Sequence, residues 1–552
     1  MNARRRIGDS PRRLLAVLAV FLILAAGILT VIHFGQEKQG FHEDEVYSYF
    51  SSNRTAGLAW PDHVWLDTQT MTDECVVLPG EGFRYQLVHT VQSWDVHPPL
   101  YYDLLHTVCS LVPGVFSKWT GIGLNLAAYV LCFFLLLALC RQLRFPRRIS
   151  LLILLVWAIH PMTVSAAMFI RMYLWLTVFV LLCLLLHLRL LTGYTRRRMI
   201  LIMLTSCFGF LTHYYYFLYF FFTGVTMALL WFFQKTEDMR ATNLGTRLSR
   251  IGRYVLWCAV SLLAAVLIYP SALSHILRGY RGKEAAESFF SPAGWASRIS
   301  FFTGLVNDYL FSGVLAALLF LFLILAVTGG RGERTLKPRV FLLILPAFFY
   351  FLVVSETALL LGNTSNRYLM PVYPIILLVM IAAGFKLLGR MIAYWKPEEN
   401  RRRSLLYWKC ARTALYLLLA GLFLFVDLRG LLASDHVLFL YPENRARIER
   451  IRENNDIPAV IIYNEETPEN IWRLYDKLAE FSEVYFIAAT SEGGIEDEIL
   501  ENAGRVYVFA ADTPDNIDRD ARIADLFRID PSLRNKQILD RMEMWTWFEL
   551  GG

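Results

Sequence analysis

The chain has 552 residues, 56% of them hydrophobic and only 18% charged, with a formal net charge of +7 at pH 7. A soluble protein carries nearer a quarter charged residues, so this balance excludes an ordinary soluble domain and fits a multi-span membrane protein. The positive charge lies in short clusters between apolar runs, which reads as a topology signal rather than as a nucleic-acid surface.

The first apolar run, near 13–34, follows Arg4-Arg5-Arg6 and Arg12-Arg13. It continues for about 20 residues without a small-residue cleavage site, so a retained first span is expected and not a signal peptide. Further apolar stretches lie near 118–140, 149–165, 172–191, 199–214, 216–233, 254–272, 304–328, 340–359, 368–388 and 412–430. They approach or exceed the roughly 18 residues that cross a bilayer and bring the expected total to about eleven spans. Basic clusters at 4–13, 141–148, 196–198, 235–253, 331–339 and 386–412 are expected in the cytoplasm, with the N-terminus. Residues 99–116 are apolar but short and carry Asp103 and His106. A helix in the outer interface is expected there, which keeps every basic cluster inside.

The outer segments are then 35–117, 166–171, 212–216, 273–303 and 360–367. Among eight scattered cysteines there is no CxxC or CxxH pair, and Cys75 and Cys109 are the two that could meet outside the membrane. After a membrane domain at 1–430, residues 431–552 turn polar and periodic. Strands are expected at 459–463, 484–488 and 506–510, and helices at 467–481 and 514–527, the latter opened by Thr467-Pro468-Glu469 and Thr513-Pro514-Asp515. Alternating strands and helices predict a small parallel α/β domain, placed outside the membrane by the odd number of spans. It contains no GxGxxG or P-loop.

Two polar motifs stand in the first outer loop: Phe41-His42-Glu43-Asp44-Glu45-Val46-Tyr47-Ser48 and Trp94-Asp95-Val96-His97-Pro98-Pro99-Leu100-Tyr101-Tyr102. On a helix Asp44, Tyr47 and Ser48 share a face, from which Glu43 and Glu45 diverge. A carboxylate there can take the proton of an attacking hydroxyl, although acids alone also fit a solvated loop. In the second motif the proline pair forces an extended entry and fixes the start of the next helix, so Asp95 and His97 project from a rigid platform.

Arg171-Met172-Tyr173 falls between two spans. An arginine there faces a cavity or ligand, or snorkels to the interface, and its guanidinium can grip two phosphate oxygens. His213-Tyr214-Tyr215-Tyr216 by itself fits an interfacial aromatic belt. Arg367, in Asn366-Arg367-Tyr368-Leu369-Met370-Pro371, could hold a donor phosphate, with Glu356 pairing to it or to Arg278. Arg278, Arg281 and Lys283 lie outside against the positive-inside trend and fit lipid headgroups, an anionic acceptor or a solvated loop. A divalent metal ion at Asp44, Glu45, Asp95 and His97 is an open expectation, with Asp44, Asp95 and His97 as its candidate ligands.

Asp95-Val96-His97-Pro98-Pro99-Leu100 resembles the corresponding loop of protein O-mannosyltransferases. Together with Asp44-Glu45 it resembles the catalytic first loop of glycosyltransferases that take sugars from polyprenyl phosphates. Arg171 to Tyr173, His213 to Tyr216 and Asn366 to Pro371 are similar to the bacterial branch of that superfamily. Tyr101-Tyr102-Asp103 departs from the glycine and lysine of the O-mannosyltransferases, which puts a protein acceptor in doubt. The resemblance covers roughly residues 13–390. It implies a GT-C polytopic α-helical fold and one-step inverting transfer, with Asp44 as base, Glu45 as its neighbour, and Asp95 and His97 as further catalytic residues. It implies substrate binding by Arg171, Tyr173, His213, Tyr214, Arg367 and Tyr368. The implied partners are a polyprenyl-phosphate sugar donor, a cell-envelope glycan, lipid or protein acceptor, and membrane lipids, with no nucleic acid. The alternative is a transporter or flippase of the same lipids, for which repeated halves and broken helices would be expected.

Overall fold

The computed structural model describes residues 2–54, 60–240, 242–330, 337–397, 402–433, 436–512, 519–527 and 536–551. The chain forms two compact units. One comprises Met1–Gly35, Gln92–Tyr101 and Gly121–Leu438, and the other Gln36–Val91, Tyr102–Thr120 and Phe439–Gly552.

The first unit is helical. Each apolar stretch of the sequence carries a helix. By length and hydropathy, seven of the described helices can cross a membrane: Leu14–Glu37, Lys118–Gln142, Tyr173–Leu190, Leu244–Ile268, Pro338–Thr357, Tyr373–Tyr394 and Ser404–Leu432. The number reaches nine if each of two bent pairs is one span. Arg196–Thr212 and Tyr216–Phe232 have 17 residues each, about 25 Å of helix against a hydrocarbon core of about 30 Å. The chain is thus a multi-pass membrane protein. Tyr173–Leu190 is the most enclosed span, with 78% of its residues buried. The figure is 17% for the apolar windows of Leu14–Glu37 and Leu244–Ile268, whose exposed leucines suit contact with lipid.

The bends have local causes. Arg147–Ile159 and Pro161–Met168 meet at 48°, because Pro161 has no N–H to donate into the preceding turn. His160 caps the second segment, its Nδ1 accepting from the Met162 N–H at 3.1 Å. The second pair, Pro292–Leu310 and Leu315–Thr328, turns by 85° through Ser312 (φ 48°) and Gly313 (φ 82°), the left-handed region that glycine enters at little cost.

The second unit is built on a six-stranded sheet of order β1-β3-β2-β4-β6-β5. The strands are β1 (Val64–Asp67), β2 (Ala459–Tyr463), β3 (Glu483–Ala488), β4 (Arg505–Ala511), β5 (Lys536–Met542) and β6 (Trp545–Gly551). The three expected strands form, but the sheet is mixed and not parallel. Only β2 with β3 and β2 with β4 are parallel, while β1 on one side and the β5–β6 hairpin on the other run antiparallel. β1 comes from the first outer loop, its Val64 opposite Phe486.

β2 is buried along its whole length, as a central parallel strand covered on both faces should be. One face packs Val460, Ile462, Ile487, Val508, Phe548 and Leu550 into a core. The helix expected at 467–481 is instead a 3-10 segment, Pro468–Leu474, followed by one turn, Tyr475–Leu478. Thr467 makes no side-chain cap. The helix expected at 514–527 is present as Arg519–Leu526; Thr513, Pro514 and Asp515 lie outside the described residues, as do 331–336 of the basic cluster. Cys75 and Cys109 are both buried and both free thiols.

Candidate functional site

In the helical unit, residues far apart in sequence converge. The prolines of Asp95-Val96-His97-Pro98-Pro99 end the polar turn, and a helix starts at Leu100. Ser93, just before them, is held by its carbonyl, which lies 3.2 Å from His275 Nε2. The other ring nitrogen of His275 lies 2.9 Å from the Tyr214 hydroxyl. Asp95 Oδ2 lies 2.8 Å from His97 Nδ1, and His97 Nε2 lies 3.3 Å from Arg171 Nη2. Guanidinium can only donate. The chain of bonds therefore runs from Arg171 into Nε2 and from Nδ1–H into the carboxylate. Burial opposes the ionised form of Asp95, but His97, Arg171 and the Val96 N–H outweigh it and bring its pKa down from 3.8 to about 2.

Arg171 sits in the short connection between Pro161–Met168 and Tyr173–Leu190 and is only 3% exposed. Asn125, on the helix Lys118–Gln142, pins that connection by donating to the carbonyls of Ala167 (3.3 Å) and Phe169 (2.7 Å). Arg367 is 5% exposed. Its guanidinium lies 5.8 Å from the ring centre of Phe169 and 5.1 Å from that of Tyr368, and Nη2 donates to the Tyr368 hydroxyl at 3.2 Å. The backbone there is a 3-10 segment, Gly362–Tyr368. The Tyr350 hydroxyl donates to the Tyr368 carbonyl at 2.9 Å, and the Tyr373 hydroxyl to Asn366 Oδ1 at 2.6 Å.

His213 joins the two arginines. Its ring lies 6.1 Å from that of His97 and 5.5 Å from that of Tyr173, which in turn is 5.9 Å from Tyr368. Burial, then the nearby His97, Arg171 and Arg367, hold the His213 imidazole well below its usual pKa. The structure thus brings Asp95, His97, Arg171, Tyr173, His213, Tyr214, Arg367 and Tyr368 into one neighbourhood. Two guanidinium groups, imidazoles and aromatic faces in a buried setting have the chemistry to receive an anion with an apolar attachment.

Glu356 does not pair with Arg367 or Arg278. It is buried, neither of its carboxylate oxygens has a hydrogen-bond partner among the described residues, and Arg298 is the charged group beside it. Arg281 pairs with Glu284 at 2.8 Å on the surface, a contact worth little in water. Sequence reasoning missed Asn125 and His275. Asn125 carried a signal, being an amide inside an apolar helix. His275 stood in a loop whose arginines drew the attention.

Asp44 and Glu45 belong to the sheet unit. They open the helix Glu43–Asn53, capped by His42, whose Nδ1 accepts the Asp44 N–H at 3.1 Å. Glu45 completes the capping box: its Oε2 accepts the His42 N–H at 2.6 Å and the Lys38 ammonium at 2.9 Å. The side chains of Lys38 and Glu45 are 0% exposed, whereas that of Asp44 keeps 25% and has an oxygen 3.5 Å from His42 Nδ1. Tyr47 and Ser48 follow on the same helix, and the Ser48 hydroxyl donates to the Asp44 carbonyl at 2.9 Å. In the same unit His89 lies 3.1 Å from Asp103, and His106 accepts the Arg84 N–H at 2.9 Å. Both contacts anchor the 12-residue helix Leu100–Leu111, which at about 18 Å is too short to span a bilayer. Among the described residues no group of three or more His, Cys, Asp or Glu side chains is arranged to hold a metal ion; of the three candidate ligands, Asp95 and His97 bond to each other.

No family model matches the sequence, and no curated protein matches it. Among solved structures the chain is similar to ArnT from Cupriavidus metallidurans bound to undecaprenyl phosphate. That likeness has 14% identity and a TM-score of 0.50, over 96% of this chain and 97% of that one. The apo state of the same protein gives 12% identity and a TM-score of 0.49 over the same shares. The Archaeoglobus fulgidus oligosaccharyltransferase in complex with Zn and sulfate gives 14% and 0.43, over 89% of this chain and 68% of that one. At such identities only the fold follows, and only from the first. It is a GT-C fold, a multi-pass helical membrane core with a small α/β part, as the motifs led us to expect.

Proposed function

We propose that this protein is an integral-membrane glycosyltransferase that moves a sugar from a polyprenyl phosphate to an acceptor hydroxyl at the outer face of the membrane. The observation that carries the reading is the buried relay Asp95–His97–Arg171 beside Arg367 and its aromatic rings. A polyprenyl phosphate is an anion on an apolar tail. The similar fold of ArnT was solved bound to undecaprenyl phosphate, which supports the same ligand class here. Arg171 and Arg367 bind the donor phosphate, His97 is oriented by Asp95, and Tyr173, His213, Tyr214 and Tyr368 line the donor site.

The acceptor oxygen attacks the anomeric carbon, Asp44 takes its proton, and the carbon–oxygen bond to phosphate breaks with inversion. Polyprenyl phosphate leaves with the electron pair, and its charge is stabilised by the arginines already oriented toward it. Glu45 shapes the helix that carries Asp44. Acceptors in keeping with this site are a cell-envelope glycan, lipid or protein.

Purified protein incubated with a panel of polyprenyl-phosphate sugars and envelope acceptors should release polyprenyl phosphate and form inverted product. Retained configuration in the product would rule out the one-step mechanism. The N-terminus and residue 147 are assigned to the cytoplasm and the 431–552 region to the outside. A cysteine near Arg147 should resist membrane-impermeant reagents in intact cells and one near Glu465 should react; the opposite pattern would invert the topology.

The second reading, a transporter or flippase of polyprenyl-linked sugars, draws on the two bent spans and on His160, whose Nε2 lies 3.7 Å from a buried Asp427 oxygen. It predicts donor crossing of sealed vesicles without release of polyprenyl phosphate.

A further inference from the structure

Three acids open the helix that carries Asp44, and three like charges in one turn repel one another. Each flanking acid is tied to a cation. Glu45 takes the ammonium of Lys38 at 2.9 Å, and Glu43 takes the guanidinium of Arg473 at 2.6 Å. The two cations come from opposite ends of the chain. Lys38 precedes the helix, and Arg473 lies in the 3-10 segment Pro468–Leu474.

Lys38 also donates to the Phe439 carbonyl at 2.6 Å, and its ammonium lies 5.3 Å from the ring centre of Tyr441. Phe439 and Tyr441 have φ values of 68° and 54°, a conformation that bulky residues keep only when their surroundings impose it. The entry strand of the loop is bound to the same place. Gln39 donates its N–H to the Leu440 carbonyl at 2.7 Å. A side-chain carbon on Gly40 would meet the ends of the Asn444 and Asp476 side chains, so a larger residue there would displace both. A buried ammonium is costly to place, and this one meets a carboxylate that also accepts the His42 N–H capping the helix.

We infer that Lys38 and Arg473 are positioning residues that clamp the acids on either side of Asp44 and so present Asp44, and not its neighbours, to the substrate. The inference rests on the glycosyltransferase reading with Asp44 as base. It gives residues 439–552 a part in catalysis, through the Phe439 carbonyl and Arg473, without a catalytic residue of their own.

The test compares kcat with donor affinity in the full-length protein. Lys38→Met takes the Lys38 ammonium away from the buried Glu45 carboxylate, so the first turn shifts and kcat falls by about 100-fold, the scale of a small misplacement of a reacting group. Arg473→Gln, at a partly exposed pair, lowers kcat by about 10-fold. The affinity for polyprenyl phosphate alone stays at the wild-type value in both. In Lys38→Met/Glu45→Gln the amide still caps the helix and needs no counter-charge, so most of the lost kcat returns, a recovery that damage to folding would not produce.

If Asp44→Asn abolishes turnover while Lys38→Met and Arg473→Gln both turn over like the wild type, the clamp is refuted and the base stands. If Asp44→Asn itself turns over normally, the functional reading fails first. Should Lys38→Met not fold, the double variant decides. Wild-type-like kcat supports the clamp, and a kcat as low as that of Asp44→Asn in a folded protein overturns it.

Discussion

In the helical unit the buried cations Arg171 and Arg367 are met by an imidazole relay and by aromatic faces, whereas in the sheet unit the buried Lys38 is met by the buried carboxylate of Glu45. In the first arrangement the guanidinium groups touch rings and an imidazole nitrogen, with the Asp95 carboxylate further along the same relay. A carboxylate at 2.9 Å neutralises an ammonium, so the second holds backbone in place. On the proposed reading, buried charge of the same sign serves binding in one unit and geometry in the other. The difference lies in the partner and not in the depth of burial.

That comparison can be broken most sharply at Asp44. Asp44→Asn should lower turnover by ~100-fold or more, in line with a lost general base, while donor affinity holds. Normal turnover would leave the sheet unit with a structural role only. A smaller effect is expected at Arg171. Removing a charge-assisted hydrogen bond costs about 1.5–3 kcal/mol, so Arg171→Ala should weaken polyprenyl phosphate binding by about 10- to 100-fold. Arg171→Lys should recover only part of it, since an ammonium lacks the planar fork. Unchanged affinity in Arg171→Ala would mean that the rings alone hold the ligand.

The smallest effect concerns acid. Asp95 has its pKa lowered from 3.8 to about 2 in the folded protein. A depressed carboxylate contributes stability that is fully present above its unfolded pKa and is lost as pH falls through the folded one. Asp95 should therefore leave thermal stability flat near neutral pH and erode it between about pH 4 and pH 2. Asp95→Asn should flatten that decline, measured as the midpoint of unfolding in detergent. An unchanged acid profile would mean that Asp95 is not engaged by His97 and Arg171 in solution.

Much of the architecture was legible residue by residue. The break at His160-Pro161 follows from proline chemistry, and the helix start at Leu100 from Pro98-Pro99. β2 and β4 were visible as apolar runs, Ala459–Tyr463 and the part of Arg505–Ala511 that follows Arg505. β5 was not, because an edge strand such as Lys536–Met542 keeps its charges in solvent and loses the apolar signature. β1 has only four residues, and its register depends on Glu483–Phe486, more than 400 positions away. At the candidate sites the residues singled out in the helical unit come together, but the sequence could not say that Glu45, of Glu43, Asp44 and Glu45, is the fully buried acid.

By itself, then, the sequence determined where the apolar helices, the central strands and the polar motifs lie, because hydropathy, proline geometry and strand propensity are sums over neighbouring residues. Tertiary structure alone decided that His97 meets Arg171, that Asn125 pins the turn leading to Arg171, and that Lys38 and Arg473 take the acids beside Asp44. Those pairings depend on the path of the chain over tens to hundreds of residues. A side chain's charge is written in its type, while its partner is set by whatever the fold places within about 3 Å of it.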